Sequence, residues 1–326
     1  MKTPHRRQFL RLAAGAAALS AVSRIAWAQA YPTRPVRLVV GYPAGGAPDI
    51  VARLIGQRLQ ERLGQPFVIE NRPGANANIG TEAVVRAPSD GYTLLLATTA
   101  NVINTALYDK LNFNFIRDTV PVATIMSAPL ALVVHPSVPA NTVPELIAYA
   151  KANPGKLNIA SPDIGNLGHV SGELFKMIAR VDMVHVPYRG SALVLPNLIG
   201  GQVQLTFSSI PSSIEYIKAG KARALAVTSA TRSEVLPDVP TMGDFLPGFE
   251  ATTWYGMVAP KNTPAEIVGK LNREINAIIV DAKIDAQLAD HGGSILPGSP
   301  VDFGKLLVDE TERWGKIVKF VGIKLD

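Results

Sequence analysis

Residues 34–63, RPVRLVVGYPAGGAPDIVARLIGQRLQERL, predict a β-strand, a glycine-rich turn and an amphipathic helix in that order. The segment Val36 to Val40 is short, apolar and rich in β-branched residues, and Gly45 and Gly46 end this pattern. Apolar residues then recur at helical spacing at Ile50, Val51, Leu54, Ile55, Leu59 and Leu63. A strand that passes through a tight turn into a helix is the opening unit of an α/β fold.

The turn from Pro43 to Asp49 is the first candidate for a binding loop. In an open α/β sheet, ligands lie beyond the carboxyl ends of the strands, where the N-terminus of a helix favours negative charge. The same residues also suit a plain connection in which Asp49 caps a helix that begins at Ile50. The turn lacks the Gly-Lys-Ser/Thr ending of a Walker loop and the G-x-G-x-x-G spacing of a dinucleotide site. A nucleotide enzyme is therefore disfavoured, while ligand binding and simple capping both remain open.

The first thirty residues have the composition of an export signal. An Ala- and Leu-rich run at 12–22 follows the basic residues Lys2, Arg6, Arg7 and Arg11. This run is too short to span a membrane, and Ala26-Trp27-Ala28 supplies a small-x-small cleavage pattern. The segment Arg6 to Leu10 also resembles the twin-arginine consensus, although a Sec signal can carry paired arginines. We expect a periplasmic protein that is cleaved after Ala28 or Ala30.

Removing the signal changes the charge of the chain. The full sequence has 32 Lys and Arg against 26 Asp and Glu, but residues 1–28 hold five basic residues and no acid, which leaves 27 against 26. A nearly neutral protein gives no reason to expect binding to nucleic acid or to an acidic membrane. The absence of cysteine excludes disulfides, thiolate metal sites and cysteine nucleophiles. About 296 residues remain after residue 30, which favours two domains.

Strand and helix patterns alternate along the chain, which predicts mainly parallel sheets flanked by helices. The expected strands are 36–40, 67–69, 92–97, 122–126, 130–134, 157–160, 183–186, 202–207 and 222–227. The expected helices are 50–63, 79–87, 143–152, 167–179, 192–199, 214–218, 264–281 and 301–320. No repeat or linker separates two halves, so we expect the chain to pass between its domains more than once, at strand ends.

Short motifs occur in a fixed order along nearly the whole chain after the signal. They are residues 31–40, 43–46 with Asp49, 70–75, 79–80, 90–94, 150–156, 172–175, 184–190, 200–203, 223–229, 237–241 and 254–256. Together they are similar to those of the Bug family of periplasmic solute-binding proteins, the TctC-like receptors of tripartite tricarboxylate transporters. The resemblance implies a two-domain Venus-flytrap fold, with residues 31–129 and 253–326 in one domain and 130–252 in the other.

The resemblance also implies a function. Such a receptor closes around a small solute, usually a carboxylate, and delivers it to the integral membrane permease of the transporter. It implies a monomer without cofactor or metal. The ligand residues expected from it are Pro43, Ala44, Gly45, Gly46, Asp49, Thr98, Thr99, Asn101, Ser161, Asp163, Gly165, Asn166, His169, Gly190, Ser191 and Ala192.

Several of these residues have structural alternatives. Asn166 is also suited to cap the helix that begins at Leu167, and Thr98 can simply end its strand. His169 can line a cleft or stabilise its own helix turn, and Arg189 suits solvent or a contact between domains. His135, His185 and His291 are expected to be structural, since no His/Asp/Glu spacing resembles a metal site.

Two other classes of function compete with a transport receptor. A periplasmic hydrolase is disfavoured because the chain has no G-x-S-x-G elbow and no H-E-x-x-H motif. A ligand-bound co-receptor for a membrane sensor kinase requires the same fold, so the sequence does not separate it from transport. Enzymatic turnover by the purified protein would indicate a hydrolase, and recovery of a sensor kinase in a partner pull-down would indicate a co-receptor.

The sequence departs from the family pattern at three loops. Gly45-Gly46-Ala47-Pro48-Asp49 replaces Gly-Gly-Gly/Ser-Thr-Asp, and Ala192-Leu193-Val194 replaces Ala-Pro-Ala. The segment Ser161 to Gly165 reads Ser-Pro-Asp-Ile-Gly where Ser-x-Gly-x-Gly is usual. Asp163 therefore introduces a carboxylate that either turns to solvent or meets a donor group of the ligand. The identity of the carboxylate ligand stays open.

The paired arginines give the first testable prediction. Replacing both Arg6 and Arg7 by Lys keeps the charge but removes the guanidinium pair that the twin-arginine receptor reads. We expect the precursor of the double variant to accumulate in the cytoplasm, as measured by cell fractionation. Normal periplasmic accumulation would contradict the twin-arginine route and leave export by another route intact.

Overall fold

A computed structural model describes residues 31–188 and 190–323. The predicted export signal and Arg189 lie outside the described residues. The strands are β1 (Val36–Val40), β2 (Phe67–Asn71), β3 (Thr93–Thr98), β4 (Thr119–Val134), β5 (Asn158–Ser161), β6 (Val184–Pro187), β7 (Leu205–Ser209), β8 (Arg223–Val227), β9 (Thr252–Pro260) and β10 (Ser294–Ile295). The α-helices are α1 (Ala47–Leu63), α2 (Asn78–Val85), α3 (Thr99–Leu107), α4 (Phe115–Asp118), α5 (Val143–Ala152), α6 (Leu167–Ala179), α7 (Val194–Ile199), α8 (Ile210–Lys218), α9 (Ala265–Ile279), α10 (Ala282–Asp290) and α11 (Pro300–Val321). Two 3-10 turns cover Ser191–Leu193 and Met242–Asp244.

The strands form one continuous path in the order β2-β1-β3-β9-β4-β7-β5-β6, with β8 and β10 also paired to β4. Strands β1, β2 and β3 are parallel, as are β5, β6 and β7. Strands β4 and β9 lie between these groups and run antiparallel to each other and to β3 and β7. The expected α/β fold is confirmed, and the two central antiparallel strands add to the mainly parallel arrangement that the alternating pattern predicts.

Strand β4 belongs to both halves of this sheet. It pairs with β9 from Thr119 to Pro129 and with β7 and β8 from Leu130 to Val134. We expected two strands at 122–126 and 130–134, and that expectation was wrong because Pro129 interrupts the apolar pattern without ending the strand. A proline has no N–H to donate, so it is tolerated where β4 changes partner.

Helix α1 begins at Ala47 and not at Ile50, and its N-cap is Gly46 rather than Asp49. Pro48 lies in the first turn, where a proline is favourable because the N–H that it lacks would have no partner in the helix. Helix α8 likewise begins at Ile210, four residues earlier than expected, with a proline in its first turn. The helix expected to begin at Ala192 starts as the 3-10 turn Ser191–Leu193 and continues as α7.

The C-terminal helix α11 packs against the centre of the sheet. Its Phe303 and Trp314 are fully buried, and the indole N–H of Trp314 donates to Glu310 Oε2 at 2.7 Å. Phe303 lies edge-on to Trp254 of β9 and fills the space above Gly256. A Cβ at Gly256 would lie 2.4 Å from the Phe303 ring, so this glycine is required by packing.

This contact predicts a difference between two glycine substitutions. Gly256→Ala should destabilise the protein by about 1–3 kcal/mol, since overpacking forces the aromatic ring to move. Gly315→Ala on α11 is the matched control, because its Cβ would meet nothing within 4 Å. This second change should stabilise the protein by roughly 0.5–1 kcal/mol through helix propensity. Urea unfolding of both variants measures the effects, and equal stability of the two would contradict the packing argument.

Candidate ligand-binding site

The register of the central strands brings the carboxyl ends of the parallel strands to one place. Thr98 at the end of β3 pairs with Tyr255 of β9, while Pro129 of β4 pairs with Thr252 of β9. The next residue, Leu130, pairs with Ser209 at the end of β7. The loops after β1 and β3 therefore face the loops after β5, β6 and β7 across the point where β4 changes partner.

Two buried threonines fix this point. Thr228 Oγ1 accepts a hydrogen bond from the N–H of Leu130 at 2.8 Å and lies 2.5 Å from the carbonyl oxygen of Ala251. Thr99 Oγ1 accepts a hydrogen bond from the N–H of Trp254 at 3.0 Å. The first contact joins β4 to the segment entering β9, and the second joins β9 to α3. Thr99 was expected to bind ligand, but its side chain is fully buried in this contact.

The loop after β1 is held by a buried carboxylate. Asp49 Oδ2 accepts hydrogen bonds from the N–H of Gly45 and from Arg53 Nε, both at 2.9 Å, and Asp49 Oδ1 accepts from Asn71 Nδ2 at 2.9 Å. Burial would raise the pKa of Asp49, but these hydrogen bonds outweigh burial and keep it below its usual value. Asp49 thus shapes the loop, while Pro43, Ala44 and Gly45 at its tip are exposed.

The end of β3 carries a hydroxyl pair at the same edge. Thr98 Oγ1 lies 2.8 Å from the phenol oxygen of Tyr42 and accepts a hydrogen bond from the N–H of Ala100 at 3.3 Å. Only one of the two hydroxyl hydrogens can lie between the oxygens, so one stays available for another acceptor. The amide of Asn101 is used internally, because it accepts from the N–H of Thr98 and donates to Thr81 Oγ1.

The loop after β5 is organised by Ser161, Asn166 and His169. Asn166 Oδ1 accepts from the N–H of His169 at 2.8 Å, which confirms Asn166 as the N-cap of α6. His169 Nδ1 accepts from the N–H of Gly165 at 3.0 Å, so its own proton lies on Nε2. Gly165 adopts a φ of 82°, which favours glycine at this turn. The side chains expected to bind ligand are therefore engaged in shaping their own loop.

His185 joins this group from the neighbouring strand β6. Its Nε2 lies 2.7 Å from Ser161 Oγ, and its ring stacks on His169 with the centroids 3.8 Å apart. Burial lowers the pKa of each histidine to about 4. The charge of Lys176 contributes to both of these shifts, the neighbouring histidine contributes to that of His185, and the charge of Glu173 opposes the shift of the His185 pKa. His185 had been expected to be structural, and its contacts support the shape of the β5 loop.

The remaining candidates line the rim of the site. The N–H of Gly190 donates to the carbonyl oxygen of Pro162 at 2.8 Å, which ties the loop after β6 to the loop after β5. Ser191 and Ala192 follow this contact and are exposed, as is Asp163. Asp163 Oδ1 accepts from the N–H of Ile164 at 2.9 Å.

Sequence reasoning missed three residues that lie at this edge. Tyr42 stands within the glycine-rich turn, where its hydroxyl reaches Thr98, and Ser208 and Ser209 end β7. The paired serines before the proline of α8 were a usable signal, because they follow the expected strand 202–207 and precede a helix. Tyr42 gave no periodic signal, since a single aromatic residue in a turn fits either core or surface.

The described residues contain no group of acidic, histidine or cysteine side chains placed to hold a metal ion. Within that part of the chain, no helix is long and apolar enough to cross a membrane. The arrangement that the structure does provide is a set of glycine-bordered loops and helix N-termini at one sheet edge. Such loops present uncharged N–H donors, which suit an anionic ligand.

Comparison with known proteins identifies the class of protein to which this chain belongs. The model of the tripartite tricarboxylate transporter family receptor, TctC, matches residues 51–323. The chain is therefore a solute-binding receptor and not an enzyme. It belongs to the TctC family, which confirms the resemblance seen in the motifs.

Solved structures agree with this assignment. An R. palustris protein solved with adipate is 38% identical, with a TM-score of 0.86 over 90% of this chain and 100% of that one. The periplasmic binding protein BugD is 33% identical, with a TM-score of 0.83 over 90% and 100% of the two chains. MatC from Rhodopseudomonas palustris, solved with bound malate, is 32% identical with a TM-score of 0.81 over 88% and 100%.

The stacked histidines predict a loss of stability in acid. Their pKa of about 4 lies below the value of 6.5 expected in the unfolded chain, so the unfolded state binds more protons between these pH values. The contribution of the two neutral histidines to stability should be fully present above pH 6.5 and should decrease as the pH is lowered towards 4. Below pH 4 their protonation should cause no further change in stability.

A pair of variants tests this prediction by thermal unfolding between pH 7.5 and 3.5. His185→Gln keeps a hydrogen-bonding group near Ser161 but removes one titrating ring, so its Tm should fall less than that of the unmodified protein. The Tm of the double variant His169→Asn/His185→Gln should fall least across the same pH range. If the plots of Tm against pH superimpose for all three proteins after alignment at pH 7.5, the histidine pair has no role in the acid sensitivity.

Proposed function

We propose that this protein is a periplasmic receptor that captures a small organic carboxylate and delivers it to the permease of a tripartite tricarboxylate transporter. The family assignment supports the receptor class, and the adipate and malate of the two R. palustris structures support the chemistry of the ligand. The observation that carries the proposal is the convergence of the loops after β1, β3, β5, β6 and β7 at one edge.

The proposed binding cleft lies between two lobes. One lobe comprises residues 31–129 and 253–326, and the other comprises residues 130–252, as the family resemblance implies. The change of partner in β4 at Pro129 and Leu130, next to the start of β9, supports both boundaries. Bending at these two adjacent strands would bring the loops of the lobes together over a ligand.

The proposed contacts to the ligand are mainly backbone N–H groups. Asp49, Asn101, Ser161, Asn166 and His169 all have internal hydrogen-bond partners. Their side chains hold the loops. The N–H groups of Gly45 and Gly190 are already bonded within the protein, and Pro43 has no N–H. The proposed donors are therefore the main-chain N–H groups of Ala44, Gly46, Ser191 and Ala192. Neutral donors of this kind bind a carboxylate without a buried lysine or arginine, whose desolvation is costly.

A thermal-shift screen of organic acids tests binding. A ligand at 100 times its dissociation constant stabilises the folded state by about 2.7 kcal/mol, which raises Tm measurably. We expect a hit among dicarboxylates, tricarboxylates, aromatic acids or amino acids, with stoichiometry near one by calorimetry. The absence of any hit, or turnover of the ligand, would contradict the proposal.

The loop at Gly46 offers a sharper test of anion binding. Gly46→Asp suits the backbone, since Gly46 has φ −79° and ψ 166° and its Cβ would have no neighbour closer than 3.7 Å. The new carboxylate would repel an anionic ligand by roughly 4 kcal/mol at about 4 Å and an effective dielectric near 20. We expect the Kd measured by calorimetry to rise about tenfold or more.

Gly46→Ser is the matched control, because serine also caps a helix but carries no charge. It should bind within about threefold of the unmodified protein, and both variants should fold. Equal affinity of Gly46→Asp and Gly46→Ser would place the bound anion away from this loop. Transport requires a separate test, in which deletion of the permease genes abolishes uptake of the identified acid while the receptor still binds it.

A further inference from the structure

Tyr31, which follows the predicted export signal, is built into the fold. It is 3% exposed, and its hydroxyl donates to the carbonyl oxygen of Gly91 at 2.7 Å. Its ring lies edge-on to Tyr92 with the centroids 5.1 Å apart, and together with Ile267 it fills the space above Gly91. Lys270 Nζ donates to the main-chain oxygen of Tyr31 at 2.6 Å. Both ends of Tyr31 are therefore held, one by the loop before β3 and the other by α9.

The contact with Lys270 places a positive charge beside the main chain of Tyr31. The nitrogen and the carbonyl oxygen of one residue lie no more than about 3.6 Å apart, so the Lys270 ammonium lies within roughly 6 Å of the Tyr31 nitrogen. In the precursor that nitrogen belongs to a neutral amide. If Tyr31 were the first residue of the mature protein, the nitrogen would be an ammonium group beside a like charge, on a residue that is buried. Both the burial and the like charge disfavour the charged form.

The acidic residues on the elements that hold Tyr31 do not replace this missing neutrality. Asp90 is next to Gly91, at the phenol end of Tyr31, and its carboxylate forms an ion pair with Arg34 at 2.8 Å. Glu266 lies one turn before Lys270 on α9 and is exposed, so water screens its charge. An ammonium group on Tyr31 would therefore have Lys270 as its nearby charge on the main-chain side.

The two cleavage positions that the sequence allows differ in where they put the new charge. A cut after Ala30 creates an ammonium group on Tyr31 itself. A cut after Ala28 creates it on Gln29, two residues from Tyr31, and leaves the Tyr31 nitrogen as an amide. A peptidase must also hold the residues on both sides of the bond that it cuts. In a folded precursor, Tyr31 is engaged by Gly91, Tyr92 and Lys270 and is not available for this.

We propose that the export signal is removed between Ala28 and Gln29, and that Tyr31 with Lys270 forms an anchor for the start of the mature chain. In the cleavage step, a membrane signal peptidase adds water across this one peptide bond. Ala28 receives the carboxylate and Gln29 receives the amino group. Gln29 and Ala30 then separate the charged end of the chain from the anchor. The inference concerns processing and does not depend on the ligand or on the proposed function.

Intact mass spectrometry locates the cut in protein that is expressed from its own precursor and purified from the periplasm. We expect the main species to begin at Gln29, either as the free amine or in cyclic form. In the cyclic form, the amino nitrogen has bonded to the side-chain carbonyl carbon of Gln29 and ammonia has left. A main species that begins at Tyr31, or at any residue other than Gln29, would overturn the inference.

Two precursor variants separate the effect of the fold from that of the cleavage pattern. Ala26→Phe places a large residue where the cut after Ala28 requires a small one, and it leaves the pattern at 28–30 intact. Ala30→Phe is the matched control, because it removes the small residue required for the second cut only. We expect normal processing of Ala30→Phe and accumulation of uncleaved Ala26→Phe precursor on immunoblots. Efficient processing of Ala26→Phe to a chain that begins at Tyr31 would overturn the inference, as would loss of processing in Ala30→Phe.

Thermal unfolding of two purified chains, one beginning at Gln29 and one at Tyr31, tests the physical cause. Each is released from a fusion partner by a protease that leaves no extra residue. The Lys270 charge lowers the pKa of an α-amino group on Tyr31, so the unfolded state binds more protons and the stability of that chain rises with pH. We expect its Tm to lie about 2–4 °C below that of the Gln29 chain at pH 6, and the difference to narrow by pH 9. An equal Tm at both pH values would overturn the role of Lys270.

Discussion

Strand β4 runs through both halves of the sheet, and its change of partner at Pro129 and Leu130 determines where every loop of the site lies. On one side of this point its neighbour is β9, and on the other side its neighbours are β7 and β8. Because β9 is antiparallel to β3, and β4 is antiparallel to β7, the ends of β3 and β7 meet beside the same residues. A shift of one residue in either pairing would turn the side chains of the strand to the opposite face. The hydrogen bonds of Thr99 and Thr228 lie at this point and stabilise the register.

Side chains and backbone have different roles in the proposed site. Buried polar side chains such as Asp49 and His169 hold the loops, and the exposed loop tips present main-chain groups. This arrangement satisfies the hydrogen-bonding needs of the buried groups without a ligand, so the loops keep their shape when the site is empty. A preshaped loop loses little conformational freedom on binding, which favours affinity.

The sequence predicted the helices and strands well wherever periodicity was strong, as in α5 and α6, whose bounds agree with the expected 143–152 and 167–179. It was less accurate where proline obscured the pattern. Pro129 hid the continuity of β4, and Pro48 and Pro211 lie inside the first turns of helices that had been expected to begin later. In each case the proline occupies a position at which the structure needs no N–H.

The site was predictable only in part for a different reason. Glycine-rich turns after strands indicated the correct loops, but they do not show which side chain bonds to which. The contact of Ser161 with His185 joins residues 24 apart, and that of Tyr42 with Thr98 joins residues 56 apart. Such pairs depend on tertiary packing.

The position of β9 near the end of the chain has a consequence for the order of folding during synthesis. Its pairing partners, β3 and the first part of β4, are made more than a hundred residues earlier and keep open edges until residue 260 has emerged. All strand pairs of β5, β6, β7 and β8, including those with residues 130–134, are complete by residue 227. Contacts so distant in sequence form slowly, because a long loop must close first. The strands in the middle of the chain can therefore be fully paired while β3 and the first part of β4 still wait for β9.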